Sequence, residues 1–247
     1  MLRATNNLIK DLKKQKRTNS SLLFLDNIKI INDAIKHGLK PKIILVENEN
    51  LNIWGNSFPV YLVEHKVIEQ LSDCITPQGV LCVTEYPQYT VTEKPKTNFL
   101  VLDTLQDPGN VGTLIRTAVA CNFKEIFLLD SVKISNPKLI RSSVGTIFDA
   151  SIHNLSKENF IKLFTKWGNT ILLKADMNGE NIFKTEFNKE KPIGLVMGNE
   201  GQGVSSLISN ICNKTISLPM EKNVESLNVA VSGAVIMYQI YAKTGNL

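Results

Sequence analysis

Short apolar runs alternate with helical patterns through residues 98–243, and this alternation limits the fold more than any other feature of the chain. Each run is only four or five residues long and is rich in β-branched or large apolar side chains. Strands of this kind, when helices separate them, form a parallel sheet that is covered on both faces. We therefore predict an α/β fold for this region. The predicted strands are 99–102, 126–129, 170–174, 193–197 and 215–218, and the predicted helices are 111–121, 137–144, 157–166, 204–211 and 227–242.

A polar segment that contains a proline, residues 93–98, precedes this region. It lies between two apolar runs, and this composition is typical of a linker. Before it, short apolar runs and helical patterns predict a small α/β domain. We therefore divide the chain into a first domain, residues 1–94, and a second domain, residues 98–247. The strands predicted in the first domain are 21–26, 43–46, 60–63 and 80–83, and its helices are 28–36 and 66–71.

Three polar segments, 110–116, 198–203 and 217–230, follow predicted strands of the second domain. Ligands of parallel sheets bind at the carboxyl ends of the strands, so these segments predict a binding site. Segment 198–203 reads Gly-Asn-Glu-Gly-Gln-Gly, and such a turn leaves backbone N–H and C=O groups free to bind a ligand. Its glycine spacing differs from that of NAD-binding turns, and it lacks the Lys-Ser/Thr pair of a phosphate-binding loop. A glycine turn by itself commonly only ends a strand. Asn199 and Glu200 within the turn, together with a second loop at 219–226, favour a ligand pocket instead.

The same three segments resemble, in the same order, the motifs of the SpoU (TrmH-type) family of RNA ribose 2′-O-methyltransferases, which belongs to the SPOUT superfamily. The resemblance covers residues 98–243. It implies S-adenosylmethionine as the cofactor, a deep trefoil knot in the parallel-sheet domain, and a homodimer that pairs through this domain. The cofactor-binding residues that it implies are Gly198, Asn199, Gly203, Leu218, Met220, Ser226 and Leu227.

The first motif places an arginine and an asparagine on one predicted helix. Residues 107–109 predict a turn, and Asn110 is a good N-cap for the helix that follows. Gly112 and Arg116 are four residues apart, so they share a helix face, and the missing side chain at Gly112 leaves room for the Arg116 guanidinium. The alternative is a structural clamp in which Arg116 pairs with Asp103 or Asp107.

Methylation of a ribose hydroxyl requires alignment of the oxygen and loss of its proton. The three histidines are poorly placed for this role. An arginine side chain stays cationic at neutral pH, so we assign Arg116 to stabilise the developing alkoxide rather than to accept the proton. Glu200 is either a proton acceptor or an ion partner of Arg116, and the sequence does not distinguish these roles. The catalytic residues implied together are Arg116, Asn110, Glu200, Ser226 and Asn228.

The positive charge of the chain is concentrated at its start. The first twenty residues carry six basic side chains and one acidic one, and this excess of five equals the net charge of the whole chain. A basic stretch beside a neutral body suggests contact with a polyanion, although a solvated helix face is an equally common explanation. The RNA-binding residues predicted are Lys13, Lys14, Lys16 and Arg17, together with Arg141 at the start of another family-like segment.

The first domain resembles, more weakly, the substrate-binding domain of the ribosomal-RNA branch of the family. The shared features are the basic stretch 13–17, the strand 22–25 and the segment 76–80, although Asp26-Asn27 replaces the usual Glu-Gly pair. Ribosomal RNA, of the 23S type, is therefore the expected substrate. The alternatives are a transfer-RNA methyltransferase, a non-catalytic RNA-binding relative and, from another class, a nucleotide-dependent oxidoreductase.

Composition sets the remaining expectations. No apolar run approaches the roughly 20 residues that cross a bilayer, and residues 1–16 lack an apolar signal core. The four cysteines are scattered without a CxxC pair or an adjacent histidine, so we expect reduced thiols and no metal site. A cytoplasmic protein without a membrane partner is the resulting expectation.

Overall fold

The computed structural model of the chain describes residues 2–18, 21–87, 89–91, 93–188, 191–221 and 223–244. The chain divides into two compact units. The first unit comprises residues 1–88 and 135–148, and the second comprises residues 89–134 and 149–247. The division after residue 88 falls close to the predicted linker. The return of residues 135–148 to the first unit is not indicated by the sequence.

The strands and helices have the following bounds. The strands are β1 (Leu2–Arg3), β2 (Leu22–Leu25), β3 (Ile43–Val46), β4 (Val60–Leu62), β5 (Val80–Glu85), β6 (Phe99–Asp103), β7 (Glu125–Leu129), β8 (Ser151–Leu155), β9 (Ile171–Asn181), β10 (Ile193–Gly198) and β11 (Lys214–Ser217). The helices are α1 (Asn6–Thr18), α2 (Ile28–Lys36), α3 (His65–Leu71), α4 (Pro108–Ala120), α5 (Pro137–Ser143), α6 (Lys157–Lys166), α7 (Ser206–Ser209) and α8 (Val229–Lys243).

The first unit contains a mixed five-stranded sheet in the order β1-β4-β3-β5-β2. Strand β5 is antiparallel to both β2 and β3, whereas β4 is parallel to β3 and β1. Strand β2 is buried along its whole length, which explains its unbroken apolar sequence. Helix α1 contributes Leu12 to the core below the sheet, so its polar residues are left on the other faces.

The second unit contains a six-stranded sheet in the order β11-β9-β10-β6-β7-β8, and every pair in it is parallel. This confirms the predicted α/β fold with a parallel sheet. The central strand β6 is fully buried, as a strand covered on both faces must be. Most elements of this unit differ from their predicted bounds by one to three residues, but β9 extends to residue 181 and only one turn of helix forms in the region 204–211. Strand β8 is not among the predicted strands.

The strand order brings two of the polar segments together. Strands β6 and β10 are neighbours in space, and Gly198 pairs with Asp103 in register although the two residues are 95 positions apart in the sequence (198 − 103). The chain order therefore reverses between these two strands, and such a reversal is where parallel sheets form ligand sites. Helix α8 packs against α4, and Gly233 permits this because a Cβ there would overlap the Leu114 side chain.

Large aromatic side chains fill the core on one side of this sheet. Phe99, Phe127, Phe160 and Trp167 pack with ring centroids 5.2–6.1 Å apart. This rigid packing fixes the strands whose ends carry the polar segments. Across the described part of the chain, no helix is both long and apolar enough to span a membrane.

Candidate active site

A tight glycine turn, residues 198–203, follows β10. Two backbone hydrogen bonds close it, from Asn199 N to Gly203 O (3.0 Å) and from Gly203 N to Asn199 O (2.8 Å). Gly203 has a φ of 69°, a conformation that favours glycine. A Cβ at Gly198 would overlap the backbone of Gly203 and Val204, so only glycine fits at the strand end. The two outer glycines of the motif are therefore required by the geometry of the turn.

The side chain of Asn199 holds this turn in place. Its Oδ1 accepts hydrogen bonds from Gly201 N (2.9 Å) and Gln202 N (3.2 Å), and its Nδ2 donates to Thr104 O (3.1 Å). Both the oxygen and the nitrogen of the Asn199 side chain are therefore hydrogen-bonded to other parts of the protein. The sequence predicts Asn199 as a cofactor-binding residue, and these bonds indicate that it acts through the shape of the turn.

A chain of hydrogen bonds joins the three motifs. Asn228 is the N-cap of α8, and its Oδ1 accepts from Ala230 N (2.9 Å) and Val231 N (3.3 Å). Its Nδ2 donates to Asn110 Oδ1 (3.1 Å), and Asn110 Nδ2 donates to Glu200 Oε1 (2.8 Å). The backbone N–H groups at the start of α8 fix which way the Asn228 amide faces. The Asn228 amide in turn fixes the orientation of the Asn110 amide. The Glu200 carboxylate is consequently held in place as the acceptor of the hydrogen bond from Asn110 Nδ2.

The predicted N-cap role of Asn110 is wrong. The cap of α4 is Asp107, whose Oδ1 accepts from Asn110 N (2.8 Å), and the helix begins with Pro108. Proline favours the first helical position because it has no N–H to lose there. Asn110 is therefore the third residue of the first helical turn, and its side chain bonds to Glu200 and Asn228 instead.

Arg116 lies two turns further along α4, on the exposed side of the helix. Its side chain forms no hydrogen bond or ion pair with any residue that the structure describes. Asp107 is used in the cap, and Asp103 contacts Lys157 at 3.3 Å, so the clamp considered above is not formed. An unpaired guanidinium on the helix that carries Asn110 remains available to a phosphate or an oxyanion.

A cavity of about 430 Å³ opens beside the glycine turn. Its size is within the range of small-molecule sites. Glu200 lines it, which places the bonded chain of Asn110 and Asn228 next to the cavity. All seven residues predicted to bind the cofactor line it as well: Gly198, Asn199, Gly203, Leu218, Met220, Ser226 and Leu227.

The sequence did not predict one wall of this cavity, residues 175–178 of β9. The pairing of β9 with β11 passes from Lys174–Thr215 directly to Glu180–Ile216, so these residues have no partners on β11. Asn178 N donates to Asp176 Oδ1 (3.0 Å), which shapes the irregular segment. The turn-forming residues Asp176, Asn178 and Gly179 are the signal that would have revealed this break in the strand.

The cysteines of this unit do not provide a nucleophile. Burial raises the pKa of the Cys121 thiol to about 11 and that of the Cys212 thiol to about 12, so both are protonated at neutral pH. Among the described residues, no group of three or more His, Cys, Asp or Glu side chains could hold a metal ion. The polar side chains that line the cavity are amides, two carboxylates (Asp176 and Glu200) and three serine hydroxyls (Ser217, Ser226 and Ser232).

The basic residues predicted to contact RNA lie in the first unit and differ in their surroundings. Lys13 donates to Gln70 Oε1, and Lys16 donates to Leu71 O (2.7 Å) and pairs with Asp73 (2.7 Å), so both tie α1 to the end of α3. Lys14 and Arg17 are exposed.

Arg141 has an intramolecular partner that the sequence did not indicate. Its Nη1 lies 3.6 Å from Oδ2 of Asp26, a buried carboxylate that also accepts a hydrogen bond from Ser72 Oγ (2.7 Å). Within the first unit, this ion pair joins α5 to the segment that follows β2. The RNA contact assigned to Arg141 stays a prediction.

The SpoU rRNA Methylase family model matches residues 97–238, which is more than half of the chain. The chain belongs to this family. The 23S rRNA (guanosine(2553)-2′-O)-methyltransferase RlmP of Bacillus subtilis is a relative 27% identical, with 96% of this chain and 97% of the relative covered. The 23S rRNA (uridine(2479)-2′-O)-methyltransferase of Streptomyces viridochromogenes is 25% identical, with 92% of this chain and 84% of the relative covered.

A solved structure has the same fold as this SpoU family member over nearly its whole length. It is the SpoU methyltransferase AviRb from Streptomyces viridochromogenes in complex with the cofactor AdoMet. The TM-score is 0.85 at 22% identity, with 97% of this chain and 98% of that chain covered. The match of the family model confirms the family that the three motifs suggest.

Proposed function

We propose that this SpoU family member transfers the methyl group of S-adenosylmethionine to the 2′-oxygen of a ribose in 23S-type ribosomal RNA. The observation that carries the proposal is the chain Asn228–Asn110–Glu200, which joins all three motifs beside the cavity. The names of two relatives, aligned over most of this chain, support a 23S ribosomal RNA substrate. That substrate makes the cytoplasm the proposed location.

The residues around the cavity suit this cofactor. The glycine turn and the loop with Leu218 and Leu227 offer backbone polar groups and apolar surface, and residues 175–178 of β9 also line the cavity. Bound there, S-adenosylmethionine would supply an electrophilic methyl group and would leave as S-adenosylhomocysteine, while the ribose hydroxyl that accepts the methyl group would lose its proton. The protein must then align the oxygen and stabilise its growing negative charge.

Arg116 and Glu200 divide this task. The Arg116 cation stabilises the developing alkoxide and binds a neighbouring phosphate, because its side chain has no partner among the described residues. Glu200 accepts from Asn110, so its second carboxylate oxygen is oriented to receive the hydroxyl proton or to hold the arginine. Ser226, which lines the cavity, completes the set by hydrogen bonding to the ribose.

We assign RNA affinity to the first unit, and within it to the exposed basic side chains of α1. Lys10, Lys14 and Arg17 lie at positions i, i+4 and i+7 of α1, so they form one exposed basic face. None of their side chains has a hydrogen bond or ion pair to another described residue. Lys13 and Lys16 are used in holding α3, as described above. The basic face is therefore the proposed contact to RNA phosphates.

A homodimer that pairs through α8 and a trefoil knot in the second unit are part of the same proposal. Val231, Val235 and Tyr238 are 50%, 38% and 52% exposed and recur at i, i+4 and i+7 of α8. An apolar stripe of this kind on an exposed helix favours burial against a second copy. The knot is supported by membership of the SpoU family and by the shared fold.

The test of the proposed reaction is an RNA that carries one 2′-deoxynucleotide at the position methylated in cells. Mapping of 2′-O-methyl marks in ribosomal RNA with and without the gene identifies that position. We expect the deoxy RNA to bind and to accept no methyl group, and continued methylation of that nucleotide would refute a ribose acceptor. Calorimetric titration should show binding of S-adenosylmethionine and no binding of NAD, which separates this function from that of an oxidoreductase.

A further inference from the structure

A buried charge pair lies directly behind the glycine turn, where no motif predicts it. Asp103, at the end of β6, is fully buried, and its Oδ1 lies 3.3 Å from Lys157 Nζ. Lys157 is the first residue of α6, and its side chain is only 16% exposed. A buried carboxylate is costly unless it is paired and hydrogen-bonded, so this position requires both partners.

The hydrogen bonds of Asp103 reach both sides of the site. Its Oδ2 accepts from Ser205 N (2.7 Å), just after the glycine turn, and its Oδ1 accepts from Thr104 Oγ1 (2.9 Å). Thr104 has a φ of 62°, which is unusual for a β-branched residue and persists only where the surroundings enforce it. In this conformation its carbonyl accepts from Asn199 Nδ2 (3.1 Å).

Two anchors therefore tie the glycine turn to the end of β6. One anchor is Ser205 N to Asp103, and the other is Asn199 to Thr104 O. Thr104 is followed three residues later by Asp107, the cap of α4, which carries Asn110 and Arg116. Any shift of the turn relative to β6 would consequently move Glu200 relative to Asn110. An error of about 1 Å in such an arrangement can cost a hundredfold in rate.

We propose that Asp103 and Lys157 are positioning residues that hold the glycine turn in register with the helix carrying Asn110 and Arg116. Lys157 pairs with the buried carboxylate, and the carboxylate holds the turn through Ser205 N. Neither side chain lines the cavity. The proposal rests on the proposed function of that cavity, and it extends the functional machinery to the start of α6.

Two further ionisable groups lie close to the charge pair. Asp130 Oδ2 lies 4.0 Å from Lys157 Nζ, and the Cys212 thiol is affected by both Asp103 and Lys174. A matched control exists on the same sheet: His153 Nε2 lies 2.6 Å from Glu125 Oε2, and His153 is buried. Strand β7 begins with Glu125, so this pair is at the opposite end of the strands from Asp103.

The experiment uses the full chain and two measurements. Calorimetry gives the affinity for S-adenosylmethionine, and amide hydrogen exchange of the cofactor-free protein reports the protection of residues 199–205. Lys157→Met should weaken the affinity by about 10- to 100-fold, a fraction of the cost of removing one partner from a buried charge pair, and should speed amide exchange of residues 199–205. Lys157→Arg should retain both properties.

The double variant Asp103→Asn/Lys157→Met should recover most of the affinity, because it removes the uncompensated charge while the amide oxygen introduced at position 103 can still accept from Ser205 N. The control Glu125→Gln should lower the melting temperature and leave the affinity unchanged. Unaltered amide exchange and cofactor affinity in Lys157→Met would overturn the proposal. A loss of cofactor affinity in Glu125→Gln as large as that in Lys157→Met would also overturn it. If the wild type fails to bind S-adenosylmethionine, the proposed function fails, and hydrogen exchange still decides the positioning role.

Discussion

The basic face of α1 permits a test in which two variants remove the same charge from the same helix. Lys10→Gln/Lys14→Gln removes two exposed lysines, whereas Lys13→Gln/Lys16→Gln removes two that are bonded to α3. Each pair lowers the net charge by two. If phosphate contacts depend on free ammonium groups, only the first pair should change the electrostatic part of RNA binding.

The magnitude follows from the number of contacts. Each phosphate contact contributes about 0.7–0.9 to the slope of log K against log salt concentration, so the loss of two contacts lowers the slope by about 1.4–1.8. The affinity deficit of Lys10→Gln/Lys14→Gln should therefore shrink by roughly 7- to 12-fold between 50 and 200 mM salt. The slope of Lys13→Gln/Lys16→Gln should match that of the wild type, while its melting temperature falls because α1 loses contacts to α3.

The assay is fluorescence anisotropy with a labelled fragment of 23S ribosomal RNA at a series of salt concentrations. Circular dichroism should first show that both variants are folded at the assay temperature. An equal decrease of the salt-dependence slope in both double variants would refute the reasoning. A lysine bonded to α3 would then contribute as much to RNA binding as an exposed one. An unchanged slope in Lys10→Gln/Lys14→Gln would locate the RNA contacts elsewhere.

Four further predictions concern single residues. Arg116→Ala should lower methyl transfer by roughly 100- to 1,000-fold with little change in cofactor affinity, and equal losses of both would make it part of the pocket instead. Asn228→Asp should keep the cap of α8 but cannot donate to Asn110, so turnover should fall by roughly 10- to 100-fold at an unchanged melting temperature; full activity would contradict the role of the amide chain. Val235→Asp should give a monomer in light scattering at micromolar concentration, and a wild type that is itself monomeric would reject the dimer. The hydrogen bond from Glu47 raises the pKa of His65, so this contact should stabilise the protein fully below about pH 6.5 and lose its effect as the pH rises through the raised value. His65→Gln should remove that dependence from thermal melts, and an identical pH profile would exclude it.

The strands and the parallel sheet could be predicted because they depend on local pattern. Runs such as 99–102 and 193–197 are apolar throughout, and the structure places strands there that are buried on both faces. The position of the cavity was also indicated by the sequence, because the polar segments follow strand ends and all strands of a parallel sheet end on the same side. The irregular wall at 175–178 was missed, since an apolar pattern does not show where a pairing register is broken.

The role of each polar side chain could not be read in the same way. Asn110 was predicted to cap a helix that in fact begins three residues earlier, and its real partners are 90 and 118 residues away in the sequence. Lys13 and Lys14 are neighbours of the same type, yet one is bonded to α3 and the other is exposed. Adjacent helical residues point in directions about 100° apart, so the packing of the helix decides which one is free.

The sequence by itself determined the α/β class, the family, the segments that form the site and the excess of positive charge at the start of the chain. Those features depend on residue type and spacing along the chain. Only the tertiary structure decided that Asn228, Asn110 and Glu200 form one bonded chain, and that Asp103 and Lys157 meet behind the glycine turn. The reason is that hydrogen bonds and ion pairs act over about 3–4 Å, and the strand order, rather than the sequence, sets such distances between remote residues.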